Sequence, residues 1–139
     1  MEAKVRSASE QIQIFDRFRK KFIVLTPEEW VRQHYIGHLV DAYSVPESLL
    51  LIESQIKYGA LSKRPDIVVM GLNNLPWLIV ECKSVEVSLG PEVFDQVVTY
   101  ASVLNPKFIG ITNGLEHIYF EFQPELKNFV LIKDLPCFS

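Results

Sequence analysis

Cysteine, long apolar runs and leader-like segments are all scarce in this chain of 139 residues. The two cysteines, Cys82 and Cys137, are too few for a disulfide framework and do not have the spacing of a C-x-x-C metal site. No apolar run approaches the roughly 20 residues that cross a bilayer, and none of signal-peptide length follows the N-terminus. These absences predict a protein of the reducing cytoplasm that does not bind membranes, with Cys82 as a small core residue.

Positive charge is also in short supply, since 14 Lys and Arg stand against 17 Asp and Glu, for a net charge of −3. Proteins that grip nucleic acid unaided usually carry a basic footprint, because phosphate neutralisation supplies much of the affinity. The balance is uneven, because residues 1–22 hold six Lys and Arg against three acids. A basic run occupies residues 17–21 (RFRKK), and it is either a phosphate contact or a solvated surface turn. We therefore expect weak intrinsic affinity for DNA, with a partner delivering any such substrate.

Internal repeats, low-complexity tracts and linkers long enough to divide the chain are absent as well. The length suits one ordinary domain with a core of its own. Residues 1–139 are therefore predicted to form a single domain. Near its start, residues 12–15 and 22–25 are predicted to be short extended segments on either side of the basic run.

Two helices are predicted from capping residues and apolar spacing. Thr26 is a good N-cap, Pro27 suits the first helical position, and Glu29 completes a capping box. This first helix is predicted to end at about residue 42. A second helix is predicted over roughly residues 91–104, where apolar residues form one stripe.

Strands are predicted from apolar and β-branched runs, at residues 49–57, 66–71, 77–84, 107–112, 115–122 and 129–132. The second and third of these are apolar on consecutive residues, which predicts a central sheet covered on both faces. Asn113 and Gly114 predict a two-residue hairpin between the fourth and fifth strands. The order of helices and strands predicts an α/β fold, a sandwich with a central mixed sheet flanked by helices.

Three ionisable groups at the ends of two apolar strands are the most informative residues. Asp66 begins one strand, and Glu81 and Lys83 end the next. Side chains alternate along a strand, so Glu81 and Lys83 share a face while Cys82 turns away. Any one of these charges alone is typical of a solvated surface. Together they favour a site, because charges at the end of a buried strand are costly unless they are paired or bind metal.

This set of groups predicts metal-dependent hydrolysis of a phosphodiester. Adjacent antiparallel strands would bring Asp66 beside Glu81, and Mg²⁺ prefers hard oxygen ligands of this kind. The backbone carbonyl of Cys82 is a candidate third oxygen. Lys83 would orient or help deprotonate the attacking water and offset negative charge developing at phosphorus.

The order Pro65-Asp66 followed by Glu81-Cys82-Lys83 resembles the PD-(D/E)xK nuclease superfamily. The flanking sequence resembles a narrower group, the N-terminal nuclease domain of type I restriction enzyme R subunits. That likeness covers about residues 12–122, taken as the core of the domain, and is carried by residues 25–33 (LTPEEWVRQ), 63–69 (KRPDIVV) and 80–84 (VECKS).

The resemblance implies a restriction-endonuclease-like fold and Mg²⁺-dependent cleavage of DNA, with Mn²⁺ able to substitute. It implies catalytic roles for Asp66, Glu81, Lys83 and Gln96. Gln96 and Tyr100 match a Gln-x-x-x-Tyr motif, and residues four apart on a helix share a face. Tyr100 is expected either to join the site or to pack beside it.

Metal binding is assigned by the same resemblance to Asp66 and Glu81, with an additional acid from the first helix. Glu29 is the candidate for that third ligand, although its capping box explains it equally well. Glu28 and Glu53 are the alternatives, and the sequence does not decide among the three.

Partners are the least determined part of the prediction. Type I R subunits continue into an ATP-driven motor, and these 139 residues contain no G-x-x-x-x-G-K-[ST] loop. DNA is the expected partner. Either the motor and specificity subunits are separate chains, or this protein is a stand-alone relative. The sequence leaves open whether it forms a homodimer. A non-catalytic nuclease-fold module that binds DNA or protein is the competing hypothesis, and the acidic balance favours it. A small structural protein is the third, and it requires that the three side chains fail to converge.

Overall fold

The computed structural model describes residues 3–8, 10–16, 20–52 and 64–139, apart from the side chain of Tyr100. The strands and helices, in chain order, are β1 (Val5–Ala8), β2 (Gln11–Asp16), β3 (Lys21–Val24), α1 (Pro27–Tyr43), β4 (Leu50–Ile52), β5 (Ile67–Met70), β6 (Pro76–Cys82), α2 (Pro91–Leu104), β7 (Phe108–Thr112), β8 (His117–Gln123) and β9 (Asn128–Ile132). Within these ranges, no helix has the length and apolar character needed to cross a membrane.

Strands β4 to β9 form one six-stranded sheet, in which neighbours along the chain are also neighbours in space. β6 and β7 are parallel, whereas the other adjacent pairs are antiparallel. Parallel neighbours require a crossover connection, and α2 supplies it between β6 and β7. The predicted α/β fold with a mixed sheet is therefore confirmed.

Each face of the six-stranded sheet is covered by apolar side chains from one helix. Along β6, Leu78 and Val80 belong to the core that includes residues of α1, whereas Ile79 belongs to the core that includes residues of α2. This division follows from the alternation of side chains along a strand. The prediction of a sheet covered on both faces is confirmed.

Truncation of a core side chain in β6 should destabilise the protein strongly. Leu78 is 0% exposed, whereas Leu72, in the turn after β5, is 78% exposed. We expect Leu78→Ala to lower the free energy of unfolding by about 2–5 kcal/mol, because it removes buried methyl groups and leaves a cavity. Leu72→Ala is the same chemical change and should stay within about 0.5 kcal/mol of the wild type. Urea denaturation measures both values, and equal losses would contradict the central position of β6.

The predicted bounds agree closely for both helices and less well for the first strand of the sheet. Thr26 caps α1 as predicted, because its Oγ1 atom accepts a hydrogen bond of 3.1 Å from the N–H of Glu29. The Glu29 carboxylate contacts Arg32 instead of returning to Thr26, so half of the predicted capping box forms. The strand predicted at 49–57 begins one residue later, after a 3₁₀ turn at Glu47–Leu49. Residues 53–57 of that prediction lie outside the described residues.

The connection between β7 and β8 is longer than the predicted two-residue hairpin. The ladder ends at the pair Thr112 and His117, which leaves residues 113–116 as the loop. Asn113 organises this loop, since its Oδ1 atom accepts hydrogen bonds from the N–H groups of Leu115 (2.9 Å) and Glu116 (2.8 Å). An asparagine that binds the backbone in this way replaces the tight turn expected from Asn-Gly. The predicted hairpin between these strands is confirmed, and its predicted two-residue length was wrong for this reason.

Strands β1, β2 and β3 form a separate antiparallel sheet. The two extended segments predicted near the N-terminus correspond to β2 and β3, and β1 is a strand that the prediction omitted. β2 contacts α1, and its residues Ile14 and Asp16 are fully buried. The small sheet is therefore attached to the rest of the protein through the face that carries these two side chains.

Candidate active site

Asp66 lies beside the end of β6, where the chain enters β5. Its N–H donates a hydrogen bond of 3.1 Å to the carbonyl of Val80. Its carboxylate Oδ2 accepts a hydrogen bond of 2.7 Å from the N–H of Cys82. Two backbone contacts to the same strand thus hold the Asp66 carboxylate at the position where Glu81 leaves β6. The predicted meeting of Asp66 with this strand end is present in the structure.

Glu81 is the acid that Asp66 meets. Only 3% of Glu81 is exposed, and alternation along β6 directs its side chain to the α2 face, as for Ile79. Burial, together with a hydrogen bond and repulsion from the Glu81 carboxyl group, raises the pKa of Asp66 to about 8. The charged form of Asp66 is therefore disfavoured beside the Glu81 carboxyl group.

Lys83 follows directly after β6 and is held by two contacts. Its N–H donates a hydrogen bond of 2.8 Å to the carbonyl of Thr112 at the end of β7. Its Nζ atom donates one of 3.1 Å to Oε1 of Gln96 on α2. The ammonium group is thus directed to the α2 face, the face expected for Glu81, while Cys82 is buried in the opposite core. The structure brings together Lys83 and Gln96, both of which the resemblance places in the site. The Tyr100 side chain lies outside the described residues.

Arg32 on α1 is a charged residue near the site that the sequence analysis did not identify. It is nearly fully buried, and its guanidinium contacts the carboxylate of Glu29 and lies 3.8 Å from Oδ2 of Asp16 on β2. Its positive charge also lowers the pKa of Asp66, partly opposing the effect of Glu81. A buried cation thus links the small sheet and α1 to the carboxyl pair.

Neither Glu28 nor Glu29 forms a metal-binding group with Asp66 and Glu81 among the residues that the structure describes. Glu29 is engaged with Arg32, Glu28 is exposed, and Glu53 lies outside the described residues. In the described part of the chain, no group of three or more His, Cys, Asp or Glu side chains is arranged to hold a metal. The assignment of Glu29, Glu28 or Glu53 as a metal ligand therefore stays a prediction.

A signal for Asp16 was present in the sequence, whereas none was present for Arg32. Along β2, alternation places Asp16 on the same face as Ile14, so an acid on a buried face could have been noticed. Arg32 lies on a helix between Val31 and Gln33, and all three are buried. Only the packing of α1 against a second sheet explains why a polar stretch of this helix is enclosed.

The chemistry of the carboxyl pair fits a hard divalent cation such as Mg²⁺. Such ions are commonly bound by one or two carboxylates, with waters and substrate phosphates as the remaining ligands. Asp66 and Glu81 offer oxygen donors side by side, and a cation between them would remove the repulsion that raises the pKa of Asp66. Carboxylate oxygens also suit Mn²⁺. Asp66 and Glu81 are therefore the residues that would hold either ion.

The fold and the site together define an α/β protein in which two carboxyl groups meet at adjoining strand ends, with a lysine held one residue beyond. This chain belongs to the family described as type I restriction enzyme R protein N terminus (HSDR_N), whose sequence model matches residues 27–136. The resemblance predicted from the sequence is thereby confirmed at the level of this family. No curated protein matches the chain.

Proposed function

We propose that this chain is a PD-(D/E)xK nuclease domain that cleaves DNA by Mg²⁺-dependent hydrolysis, on a restriction-endonuclease-like sandwich. The observation that carries the proposal is the contact between the half-buried carboxyl group of Asp66 and the buried one of Glu81, at the strand end from which Lys83 reaches Gln96. Membership of a restriction enzyme R protein family supports the same chemistry.

Each residue has a distinct role in the proposed reaction. Asp66 and Glu81 would hold the metal, which supplies charge neutralisation at the phosphate when bound. Lys83 orients the attacking water and opposes the negative charge that develops at phosphorus. Gln96 positions the Lys83 ammonium through its Oε1 atom. The water oxygen bonds to phosphorus as the bond to the 3′ oxygen breaks, which leaves a 5′-phosphate and a 3′-hydroxyl.

DNA cleavage by this chain is proposed to depend on partners that deliver the substrate. The net charge of −3 favours weak binding to DNA by the chain alone. Separate motor or specificity subunits, as the family membership suggests, would raise the local concentration of DNA. A homodimer would have a related effect by presenting two sites to one duplex.

Nicking of supercoiled plasmid tests the proposed reaction. We expect open-circular product with Mg²⁺ or Mn²⁺ and none with EDTA, because metal-free Asp66 and Glu81 cannot neutralise the phosphate. DNA ligase should reseal the nicks, since hydrolysis of the 3′ bond leaves the ends that ligase joins. Nicks formed equally well in EDTA, or nicks that ligase cannot seal, would contradict the proposal.

A non-catalytic module that binds DNA or protein is the second candidate. Its support is the acidic net charge and the absence of a third metal-binding side chain beside Asp66 and Glu81 in the described ranges. Binding of a plasmid without nicking, at high protein concentration and with Mn²⁺ present, is the outcome that this candidate predicts.

A further inference from the structure

The small sheet has one face that is free of carboxylates among the described residues. Strand register and alternation place Lys4, Arg6, Gln13, Phe15 and Phe22 on this side, which we call the outer face. The opposite side carries Ile14 and Asp16, both fully buried. Ile14 and Asp16 thus pack against the rest of the protein, whereas Val5 and Ile12 on the same side are 47% and 57% exposed. The outer face presents two cations to solvent.

Arg6 on the outer face is held in a fixed orientation. Its guanidinium carbon lies 3.9 Å from the centre of the Phe22 ring, a stacked cation–π contact. Its Nε atom donates a hydrogen bond of 2.7 Å to Oε1 of Gln13. The two terminal nitrogens have no partner among the described residues. A planar fork oriented in this way matches the paired oxygens of a phosphate.

Lys4 extends the same pattern along the face. Its Nζ atom lies 5.6 Å from the centre of the Phe15 ring, and no described acid pairs with it. Residues 1–22 carry a charge of +3, although the whole chain carries −3. The N-terminal part of the chain is therefore the part to which a polyanion is attracted.

The location of the small sheet connects it with the candidate active site. Asp16 on its inner side lies 3.8 Å from Arg32, whose charge also acts on Asp66. The sheet itself precedes residues 27–136, the span matched by the family. The outer face thus lies N-terminal to the matched span, on a sheet attached beside the site.

We infer that the outer face of β1–β3 binds the phosphate backbone of duplex DNA, an inference that rests on the proposed function. The two phenylalanine rings are covered by cations, so they do not offer the open faces on which unpaired bases stack. Contacts to phosphates carry no sequence information, so binding through this face is independent of sequence. The face retains DNA beside the candidate active site.

Duplex binding measured by fluorescence anisotropy in EDTA tests the inference without cleavage. Each phosphate contact contributes a slope of about 0.9 to the dependence of log affinity on log salt concentration. At about 0.1 M salt, one such contact strengthens binding about eightfold relative to binding at about 1 M salt. The double variant Lys4→Gln/Arg6→Gln should therefore bind about 10-fold to 60-fold more weakly, with a slope smaller by about 2. Lys4→Gln alone should lower the slope by about 1 and removes less packing if the double variant folds poorly.

The control is Lys107→Gln/Lys133→Gln, which removes two exposed lysines that flank the strands β7 and β9 and should leave the slope within about 0.5 of the wild type. Equal affinity and slope in the Lys4/Arg6 and control variants would overturn the inference. Plasmid nicking separates the two proposals. If the wild type binds DNA through the outer face but never nicks it, the nuclease proposal fails and the DNA-binding face stands. If the Lys4/Arg6 double variant nicks DNA and binds it as tightly as the wild type, the DNA-binding face fails and the nuclease proposal stands.

Discussion

Lys83→Met is expected to reduce plasmid nicking by about 100-fold to 10,000-fold, the range for a group that acts on the transferred proton or the developing charge. Methionine keeps the length of the side chain and loses the ammonium. The substitution should leave the fold intact, because the backbone N–H that bonds to the carbonyl of Thr112 remains. The melting temperature and the initial rate of nicking in Mg²⁺ measure the two effects separately.

The matched control for Lys83→Met is Lys133→Met, because Lys133 is exposed and lies after β9. It should nick at the wild-type rate. Lys83→Arg keeps the charge but should restore little activity, since a guanidinium fork cannot occupy the place of a compact ammonium. Gln96→Leu should lower the rate by about 10-fold or more through loss of the contact that positions Lys83. Full activity in Lys83→Met would point to a contaminating nuclease and remove the proposed role.

The carboxyl pair could be predicted because its geometry depends on local rules. Alternation fixes which face each side chain of β6 takes, and the short turn after β5 fixes which strand is its neighbour. These two rules bring Asp66 to Glu81 without knowledge of any other part of the fold. The contact between Lys83 and Gln96 was not predicted. The resemblance gave Gln96 only a role in the site, and the contact depends on the crossover helix returning over β6.

The parts that escaped prediction depend on packing between distant segments. Burial of Arg32 requires the small sheet to cover α1, and neither helix period nor capping carries that information. β1 was missed because Val5–Ala8 is a short strand with three exposed residues and one half-buried. The loop between β7 and β8 was misjudged because the same Asn-Gly pair suits two kinds of turn. Only the side-chain bonds of Asn113 distinguish them.

Asp66→Asn should abolish Mn²⁺ uptake and stabilise the metal-free protein at the same time. An asparagine oxygen can still accept the hydrogen bond from the N–H of Cys82, but it carries no charge beside Glu81. We expect the free energy of unfolding at about pH 8 to rise by about 1–3 kcal/mol, the scale of relief for a like charge in a buried pair. Calorimetry with Mn²⁺ and thermal unfolding in EDTA measure the two changes.

The pH dependence gives this prediction its sign. The pKa of Asp66 is raised to about 8 in the folded protein, against 3.8 for a free carboxyl group. Between these values the folded state binds more protons than the unfolded state, so the metal-free wild type should lose stability as pH rises through this window. Asp66→Asn should lack that loss and should approach the wild type below about pH 3, where the carboxyl group is protonated in both states. Added Mn²⁺ should raise the melting temperature of the wild type at high pH and leave that of Asp66→Asn unchanged, because binding to the folded state alone stabilises it. If Asp66→Asn were less stable than the wild type in EDTA at every pH between about 4 and 8, Asp66 would stabilise the fold. It would then not be a carboxyl group that is destabilised by Glu81 and suited to bind metal.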